Sequence, residues 1–245
     1  MKLKQAMRYK LHEYSRSSLV FYIVIAALFI VTLIVRAALN VRHLTINGME
    51  SASMIFVFVL GLNSFKSEFG LFTQSGISRN TPWVNFLVCA LLVSVVMALL
   101  YSLFPVLFGH SLGFSSTFNG MYRTFQKETF TFVGLVWNIM SHFSLMCVGF
   151  FITTLYYRMN KALKVIVSVG VPALFFVVLP VVEVFVPSFN LFTSLIKFYT
   201  WAMGLSFLTG GGPVPWRPVG PTAVLSSVPS RLGFLPTRRA TSKQP

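Results

Sequence analysis

Ionisable side chains inside apolar runs are the first candidates for chemistry in this sequence. His142 lies within a long apolar run, beside Ser141 and Ser144. Ionisable residues in such runs are often functional, so a proton-relay or substrate-contacting role is one interpretation. The other is an ordinary hydrogen bond between helices, made among small polar residues. Glu183 lies near the end of a later run, where it either contacts a substrate or gate or is solvated by lipid headgroups.

The remaining polar residues exclude most catalytic chemistry. The chain has five acidic residues and no Asp, which excludes paired-carboxylate hydrolysis and most Mg²⁺ or Ca²⁺ sites. The other three histidines have no metal-ligand spacing, and both cysteines lie in apolar runs, as packing thiols do. These residues are His12, His43, His110, Cys89 and Cys147. We therefore expect no catalytic, cofactor or metal site in this chain, and no enzyme activity of its own.

The sequence also lacks a nucleotide-binding motif. No Gly-x-x-x-x-Gly-Lys-Ser/Thr phosphate loop occurs anywhere in it. The run Gly210-Gly211-Gly212 is followed by Pro213 and not by a helix, so it cannot hold a phosphate at a helix start. The chain cannot hydrolyse ATP by itself, and any ATP would have to be bound by a partner.

The composition is that of a membrane protein. Of the 245 residues, 55% are hydrophobic and 10% are charged, with a mean hydropathy of +0.75. A soluble domain carries about 25% charged residues. The net charge of +15 would suit nucleic acid, but the basic residues cluster beside apolar runs, which is the positive-inside pattern. We reject nucleic-acid binding and predict an all-α, polytopic bundle of membrane helices in contact with lipid.

Six apolar runs are candidate spans, since a spanning helix needs about 20 residues. They are residues 19–39, 51–65, 83–103, 131–157, 165–187 and 190–208. The second run is short, and the sixth is the most polar, with Thr193, Ser194, Lys197 and Thr200. The prediction is therefore a transmembrane domain over residues 1–208. Residues 209–245 form a Pro- and Gly-rich basic tail that cannot hold a continuous helix and is expected to be disordered.

Two of the runs carry features that predict how their helices pack. The third run has small residues at every fourth position, a face that allows another helix to approach closely. These residues are Ala90, Ser94 and Ala98. We expect Pro105 and Gly109 to end this span. In the fifth run, Pro172 and Pro180 predict a kinked helix, because membrane helices tolerate proline where neighbouring groups satisfy the freed carbonyls.

The distribution of Lys and Arg predicts the orientation. With the N-terminus in the cytosol, 15 of the 20 basic residues fall in cytosolic segments and four in outer loops or outer span ends. Cytosolic loops carry such an excess in membrane proteins. The N-terminus and residues 67–79 are therefore expected in the cytosol.

The segment Ser67–Arg79, with the sequence SEFGLFTQSGISR, separates the second and third runs. It sets apolar side chains among charged and hydroxyl-bearing ones. The apolar residues are Phe69, Leu71, Phe72 and Ile77. This pattern favours a short amphipathic helix lying along the membrane surface, where a soluble partner could bind it.

In this setting the segment resembles the coupling region of bacterial ABC-2 type transporter permeases. The likeness rests on Phe65-Lys66-Ser67-Glu68-Phe69 and Gln74-Ser75-Gly76-Ile77-Ser78-Arg79. The six-span pattern, the basic N-terminal leader and the basic loop after the fourth span support it. The resemblance covers roughly residues 10–190. It implies a multi-pass protein of the bacterial plasma membrane.

The resemblance also implies partners. A separate ATPase subunit would dock on the segment, and a second permease subunit, identical or related, would pair with this one through small-residue faces. The docking residues would be Glu68, Phe69, Phe72, Gly76, Ser78 and Arg79. Phe69 and Phe72 would fill a groove on the ATPase, Glu68 and Arg79 would set the register by charge, and Gly76 would end the helix. His142 and Glu183 would be candidates for the translocation path.

The C-terminal part departs from the family. Such permeases end in an apolar sixth span followed by a basic stop, whereas Arg238-Arg239-Ala240 here follows a proline-rich stretch. One hypothesis is that this stretch is a frame-altered last helix and that residues 190–208 are an outer-surface segment. The alternative function is a membrane scaffold or sensor component without a transport path. An intramembrane enzyme is disfavoured, because no carboxylate pair or His cluster recurs across the spans.

Overall fold

The structure is a computed structural model of the 245-residue chain. It describes residues 2–39, 49–74, 81–112, 117–122, 132–186 and 190–202. These residues are almost entirely helical and include no strand, which confirms the all-α prediction for this part of the chain. The predicted tail, residues 209–245, lies outside the described residues.

Eight α-helices and one π-helical turn make up the described ranges. They are α1 (Lys2–Leu39), α2 (Met49–Gln74), α3 (Thr81–Leu112), α4 (Thr117–Tyr122), α5 (Phe132–Arg158), α6 (Lys161–Ala173), the π turn (Leu174–Val178), α7 (Leu179–Phe185) and α8 (Leu191–Ala202).

Four helical stretches are long and apolar enough to cross a membrane. They are Met7–Val35, Val84–Leu103, Phe132–Tyr157 and Lys161–Phe185. They coincide with the first, third, fourth and fifth predicted spans, and they identify a membrane protein. The predicted second span is present as Glu50–Phe65, a shorter apolar stretch of α2.

The described residues do not reach the predicted count of six spans. Helix α8 has 12 residues, a length of about 18 Å, whereas the hydrocarbon core of a bilayer is about 30 Å thick. Residues 203–208 of that run lie outside the described residues. Within the part that is described, the polar positions Lys197 and Thr200 break the apolar run, and the helix is too short to span.

Two predicted helix ends are also wrong. Residues 67–74 do not start a separate surface helix; they are the last two turns of α2, which runs unbroken from Met49 to Gln74. Helix α3 continues past Pro105 and Gly109 to Leu112. A proline inside a helix removes one backbone hydrogen bond, and this loss is tolerated in membrane helices. An amphipathic sequence pattern likewise fits the end of a longer helix as well as a separate short one.

The fifth predicted span is irregular between its two prolines. Helix α6 contains Pro172, and Pro180 lies in the first turn of α7. Five residues between them, Leu174–Val178, form a π turn. Because each proline lacks an N–H group, the carbonyls one turn earlier lose their normal partner, and the helix adjusts its hydrogen-bond register there. The sequence predicted a kinked helix in this span, and what the structure has between the two prolines is a π turn.

Helix α1 runs antiparallel to α2 and α3 runs antiparallel to α5, whereas α2 and α5 run parallel. Contacts between α1 and α2, and between α3 and α5, pair low residue numbers on one helix with high numbers on the other. The pairs are Tyr14–Ser64, Phe21–Phe56, Phe86–Phe150 and Tyr101–His142. The basic leader of α1 (residues 2–16), the end of α2 and the α5–α6 turn therefore lie at one end, called here the basic end. Glu50, Ser53 and His142 lie towards the opposite end.

The main core is formed where α2, α3 and α5 meet, with α1 packed against them. Its central buried residues are Val57, Phe86, Ala90, Met97, Met146, Cys147 and Phe150. The small-residue face of α3 is part of this interior, since Ala90, Ser94 and Ala98 are fully buried. The prediction that this face receives another helix is confirmed, but the helices it receives belong to the same chain.

The backbones of α2 and α5 approach each other closely at Gly61 and Gly149. A Cβ atom at Gly61 would lie 2.2 Å from the Met146 carbonyl oxygen, and one at Gly149 would lie 2.4 Å from the Phe58 carbonyl oxygen. Neither distance is possible for a real side chain, so both positions require glycine. Between helices in lipid, such close packing replaces the hydrophobic effect as the source of association.

Replacing Gly149 with Ala should therefore force α2 and α5 apart. We expect Gly149→Ala to lower the free energy of unfolding by about 1–3 kcal/mol, the usual cost of overpacking. Thermal or denaturant unfolding of the detergent-purified protein measures this. Gly170→Ala is the matched control, because a Cβ there would meet only Ile166 Cγ2 at 3.9 Å. Equal stability of the two variants would contradict the close contact.

Candidate functional site

The predicted docking segment starts as a continuation of α2. Ser67, Glu68, Phe69 and Phe72 belong to the helical residues that end at Gln74. Gly76, Ser78 and Arg79 lie outside the described residues. A helix of 26 residues is about 39 Å long, which exceeds the about 30 Å hydrocarbon core by roughly two turns. The first half of the predicted site is thus the last part of a bundle helix.

The leader of α1 is fixed against α2 just before this segment. The Tyr14 hydroxyl and Ser64 Oγ are 2.6 Å apart. The Lys10 ammonium donates to the Ser64 carbonyl oxygen at 3.4 Å and to Glu13 Oε2 at 3.3 Å, and it lies 4.9 Å from the centre of the Tyr14 ring. Both Lys10 and Tyr14 are buried. A buried cation needs such partners to offset its lost hydration, so this cluster holds the leader in one position.

The other face of the leader is basic and exposed. Arg8, His12 and Arg16 are four residues apart, so they form one stripe along the helix. An open groove of about 620 Å³ runs along this face, lined by Arg8, Tyr9, Leu11, His12 and Ser15. This stripe adds to the basic residues of the α5–α6 turn, so positive charge is concentrated at the same end of the bundle as the predicted docking segment.

His142 lies in a buried polar cluster towards the opposite end. Its Nε2 is 2.8 Å from Ser53 Oγ, and its Nδ1 is 2.7 Å from the Asn138 carbonyl oxygen. The Ser53 hydroxyl also lies 2.8 Å from the Glu50 carbonyl oxygen. His142 and Ser53 are completely buried. Both interpretations of His142 made from the sequence remain compatible with a hydrogen bond between α2 and α5.

The same cluster contains a carboxylate and a phenol. Glu50 is 2% exposed, and its Oε2 accepts the Thr117 N–H at 2.7 Å, which connects α2 to the start of α4. The buried Tyr101 ring lies 6.4 Å from the His142 ring. Throughout the described ranges, no three His, Cys, Asp or Glu side chains are arranged to hold a metal ion.

Glu183 lies apart from this cluster and binds the start of α8. Its Oε2 accepts the Thr193 N–H at 3.0 Å, and its Oε1 accepts the Thr193 hydroxyl. Thr193 is in the first turn of α8, where backbone N–H groups have no partner within the helix. The carboxylate satisfies one of them and connects α7 to α8. The structure does not bring His142 and Glu183, the two candidates for a translocation path, into one site.

Several residues of these clusters were not identified from the sequence. Glu50, Ser53 and Tyr101 were not singled out as partners of His142, and neither Gly61 nor Gly149 was identified as a contact point. For the glycines the sequence does hold a pattern that indicates close packing. Small residues share one side of α2 (Ser53, Gly61 and Ser64), and this side faces Gly149 and Thr153 of α5. For the partners of His142 the sequence offers no comparable signal, because they are contributed by other helices.

Removing the Tyr14 side chain should release the leader from α2. We expect Tyr14→Ala to increase amide hydrogen exchange over residues 7–16 at least tenfold. Loss of a buried aromatic side chain costs about 3–5 kcal/mol, and about 1.4 kcal/mol already corresponds to a factor of ten. Hydrogen–deuterium exchange with mass spectrometry measures it. Tyr9→Ala, at a site 56% exposed on the same helix, is the control and should change little. Unchanged exchange in both variants would show that the cluster does not hold the leader.

Comparison with protein-family models, with characterised proteins and with solved structures gave no match to this chain. Its function has to be inferred from its own residues and their arrangement.

Proposed function

We propose that this chain is the membrane-spanning permease subunit of an ATP-driven exporter of the ABC-2 type, in a bacterial plasma membrane. A separate ATPase subunit would bind the end of α2 and residues 75–79 on the cytosolic side. The observation that carries the proposal is the continuity of α2, which joins the segment resembling a coupling region to the centre of the bundle. The basic leader and the α5–α6 turn, at the same end, support a cytosolic location for that end.

Continuity of α2 changes how the ATPase would act on the bundle. Displacement of a separate surface helix would reach the bundle only through a flexible connection. Displacement of the end of a spanning helix moves that helix directly. Helix α2 is fixed to α1 at Ser64, to α5 at Gly61 and to the polar cluster at Ser53. Movement of its cytosolic end would therefore shift α2 and α5 together as a rigid body, as in other hinge and shear transitions.

A second permease subunit is part of this proposal, but it needs a different surface from the one expected. The small residues of α3 are covered by helices of the same chain. Helices α6 and α7 are mostly apolar and contain no buried residue. We assign the contact with a second subunit to this part of the chain, with lipid covering what remains.

The docking proposal predicts the effect of removing two phenylalanines. Phe69→Ala with Phe72→Ala should weaken ATPase binding about 30-fold or more, because truncating a central aromatic residue at an interface costs about 2 kcal/mol or more. Co-purification of the tagged chain with ATPase candidates encoded beside it, followed by titration of the binding partner, measures this. Phe132→Ala with Ile55→Ala is the matched control, since these residues are 67% and 65% exposed on α5 and α2, away from the docking segment and from α6 and α7. Full binding by the first double variant would argue for the scaffold or sensor alternative.

The orientation of α2 can be tested separately. A cysteine introduced at Ser67 should react with a membrane-impermeant maleimide only after the cells are opened, whereas one at Thr124 should react in intact cells. The native cysteines, Cys89 and Cys147, are buried and should contribute little background. Labelling of Ser67→Cys in intact cells would place the segment outside the cell and refute ATPase docking at this site.

A further inference from the structure

The hydrogen bonds of His142 depend on whether its ring is protonated. Nδ1 is 2.7 Å from the Asn138 carbonyl oxygen, which can only accept a hydrogen bond, so Nδ1 carries a proton in either charge state. In the neutral ring Nε2 is then bare and must accept, and its partner at 2.8 Å is the Ser53 hydroxyl. In the charged ring Nε2 carries a proton and donates to Ser53 Oγ.

The Ser53 hydroxyl has one proton and two possible acceptors. It is 2.8 Å from His142 Nε2 and 2.8 Å from the Glu50 carbonyl oxygen. When His142 is neutral, the Ser53 proton is used for Nε2, and the contact with Glu50 is not a hydrogen bond. When His142 is charged, the Ser53 proton is free to bond the Glu50 carbonyl, and all three contacts are satisfied together. Only the protonated ring uses the observed geometry completely.

The carboxyl group that α2 contributes to this region is that of Glu50, which is buried and accepts the Thr117 N–H at 2.7 Å. From α3 the group facing His142 is Tyr101, and Tyr22 of α1 lies next to Tyr101, with ring centres 6.5 Å apart. The sequence has no Lys or Arg within residues 50–65, 84–103 or 132–157, so no fixed positive charge on these stretches competes.

A second observation indicates that this region can hold a water molecule or another hydrogen-bond donor. The Asn138 side-chain oxygen, one helical turn from His142, is buried and has no hydrogen-bond partner among the residues that the structure describes. A buried acceptor of this kind costs free energy unless a water molecule or another donor reaches it. Asn138 and His142 share one face of α5, so a water molecule on that face could deliver a proton to the cluster.

We propose that Glu50, Ser53, Tyr101 and His142 form a proton-binding site at the junction of α2, α3 and α5. The bound proton resides on His142 Nε2, the Ser53 hydroxyl turns from His142 towards the Glu50 carbonyl, and loss of the proton reverses both changes. No other bond is made or broken. The site lies away from the basic end, and it does not depend on the exporter proposal.

The test is a ¹⁵N NMR titration of the histidine rings in the full-length protein, reconstituted in lipid nanodiscs. The chain has four histidines, and the His142→Gln spectrum identifies the signal that belongs to His142. At high pH this ring should be neutral with its proton on Nδ1, and between about pH 5 and 8, where imidazoles titrate, Nε2 should gain a proton. A ring that stays in one charge state over this range, or a neutral ring protonated on Nε2, would overturn the proposal.

Two serine variants separate the relay from a simple buried histidine. Ser53→Ala removes the hydroxyl that changes acceptor, so the midpoint of the His142 titration should shift by about one pH unit, the size expected for a hydrogen bond to a charged group. Ser94→Ala is the matched control, because Ser94 is equally buried and its hydroxyl donates only to the Ala90 carbonyl, at 2.8 Å. Ser53→Thr keeps the hydroxyl and should restore the original midpoint. An unshifted midpoint in Ser53→Ala would overturn the role of Ser53, whereas the wild-type titration tests the site even if that variant does not fold.

Discussion

The contact of the α2 and α5 backbones at Gly61 and Gly149 is the constraint on which the rest of the bundle depends. In lipid, apolar side chains gain nothing by leaving the solvent for another helix, so association relies on close packing and hydrogen bonds. The two glycines permit this packing, and the Thr153 hydroxyl adds a 2.7 Å bond to the Leu62 carbonyl oxygen one turn along. Because the backbones are fixed there, the positions of polar groups further along both helices are fixed as well.

Helix α2 therefore connects two polar clusters that lie far apart. At the basic end, Ser64 receives Tyr14 and Lys10 of the leader, and towards the other end Ser53 contacts His142. Ser53 and Ser64 are separated by 11 residues, or about 17 Å along the helix. Both serines sit on the side of α2 that faces protein. A rigid helix bound at both points transmits displacement between them, whichever partner or ligand supplies the force.

The sequence predicts the features that follow from insertion in a membrane, such as the apolar spans. It does not predict the contacts between one helix and another. Four spans and the buried small residues of α3 follow from hydropathy and residue size, and both were predicted. The two prolines predicted a kink, whereas the structure has a π turn between them. The unbroken α2 was missed because Phe69 and Phe72, set among polar residues, fit a surface helix equally well. The contacts of His142 with Ser53 and of Lys10 with Ser64 were missed because each serine lies on another helix, and periodicity within one segment carries no information about which face meets which neighbour.

The bundle and the last helices differ in how firmly they are attached. Among the described elements, α6 and α7 pack closely only on the π turn between them and, for α7, on α8. None of their residues is buried. Their polar links lie near the two ends, where the Tyr156 hydroxyl lies 2.6 Å from Ser168 Oγ and where Glu183 binds Thr193. An apolar helix with satisfied backbone groups is stable in lipid without protein contacts, so α6 and α7 need no fixed place against α2 and α5. A movement of α2 with α5 would therefore change the position of these two helices relative to α6 and α7, because α6 and α7 make few contacts with them.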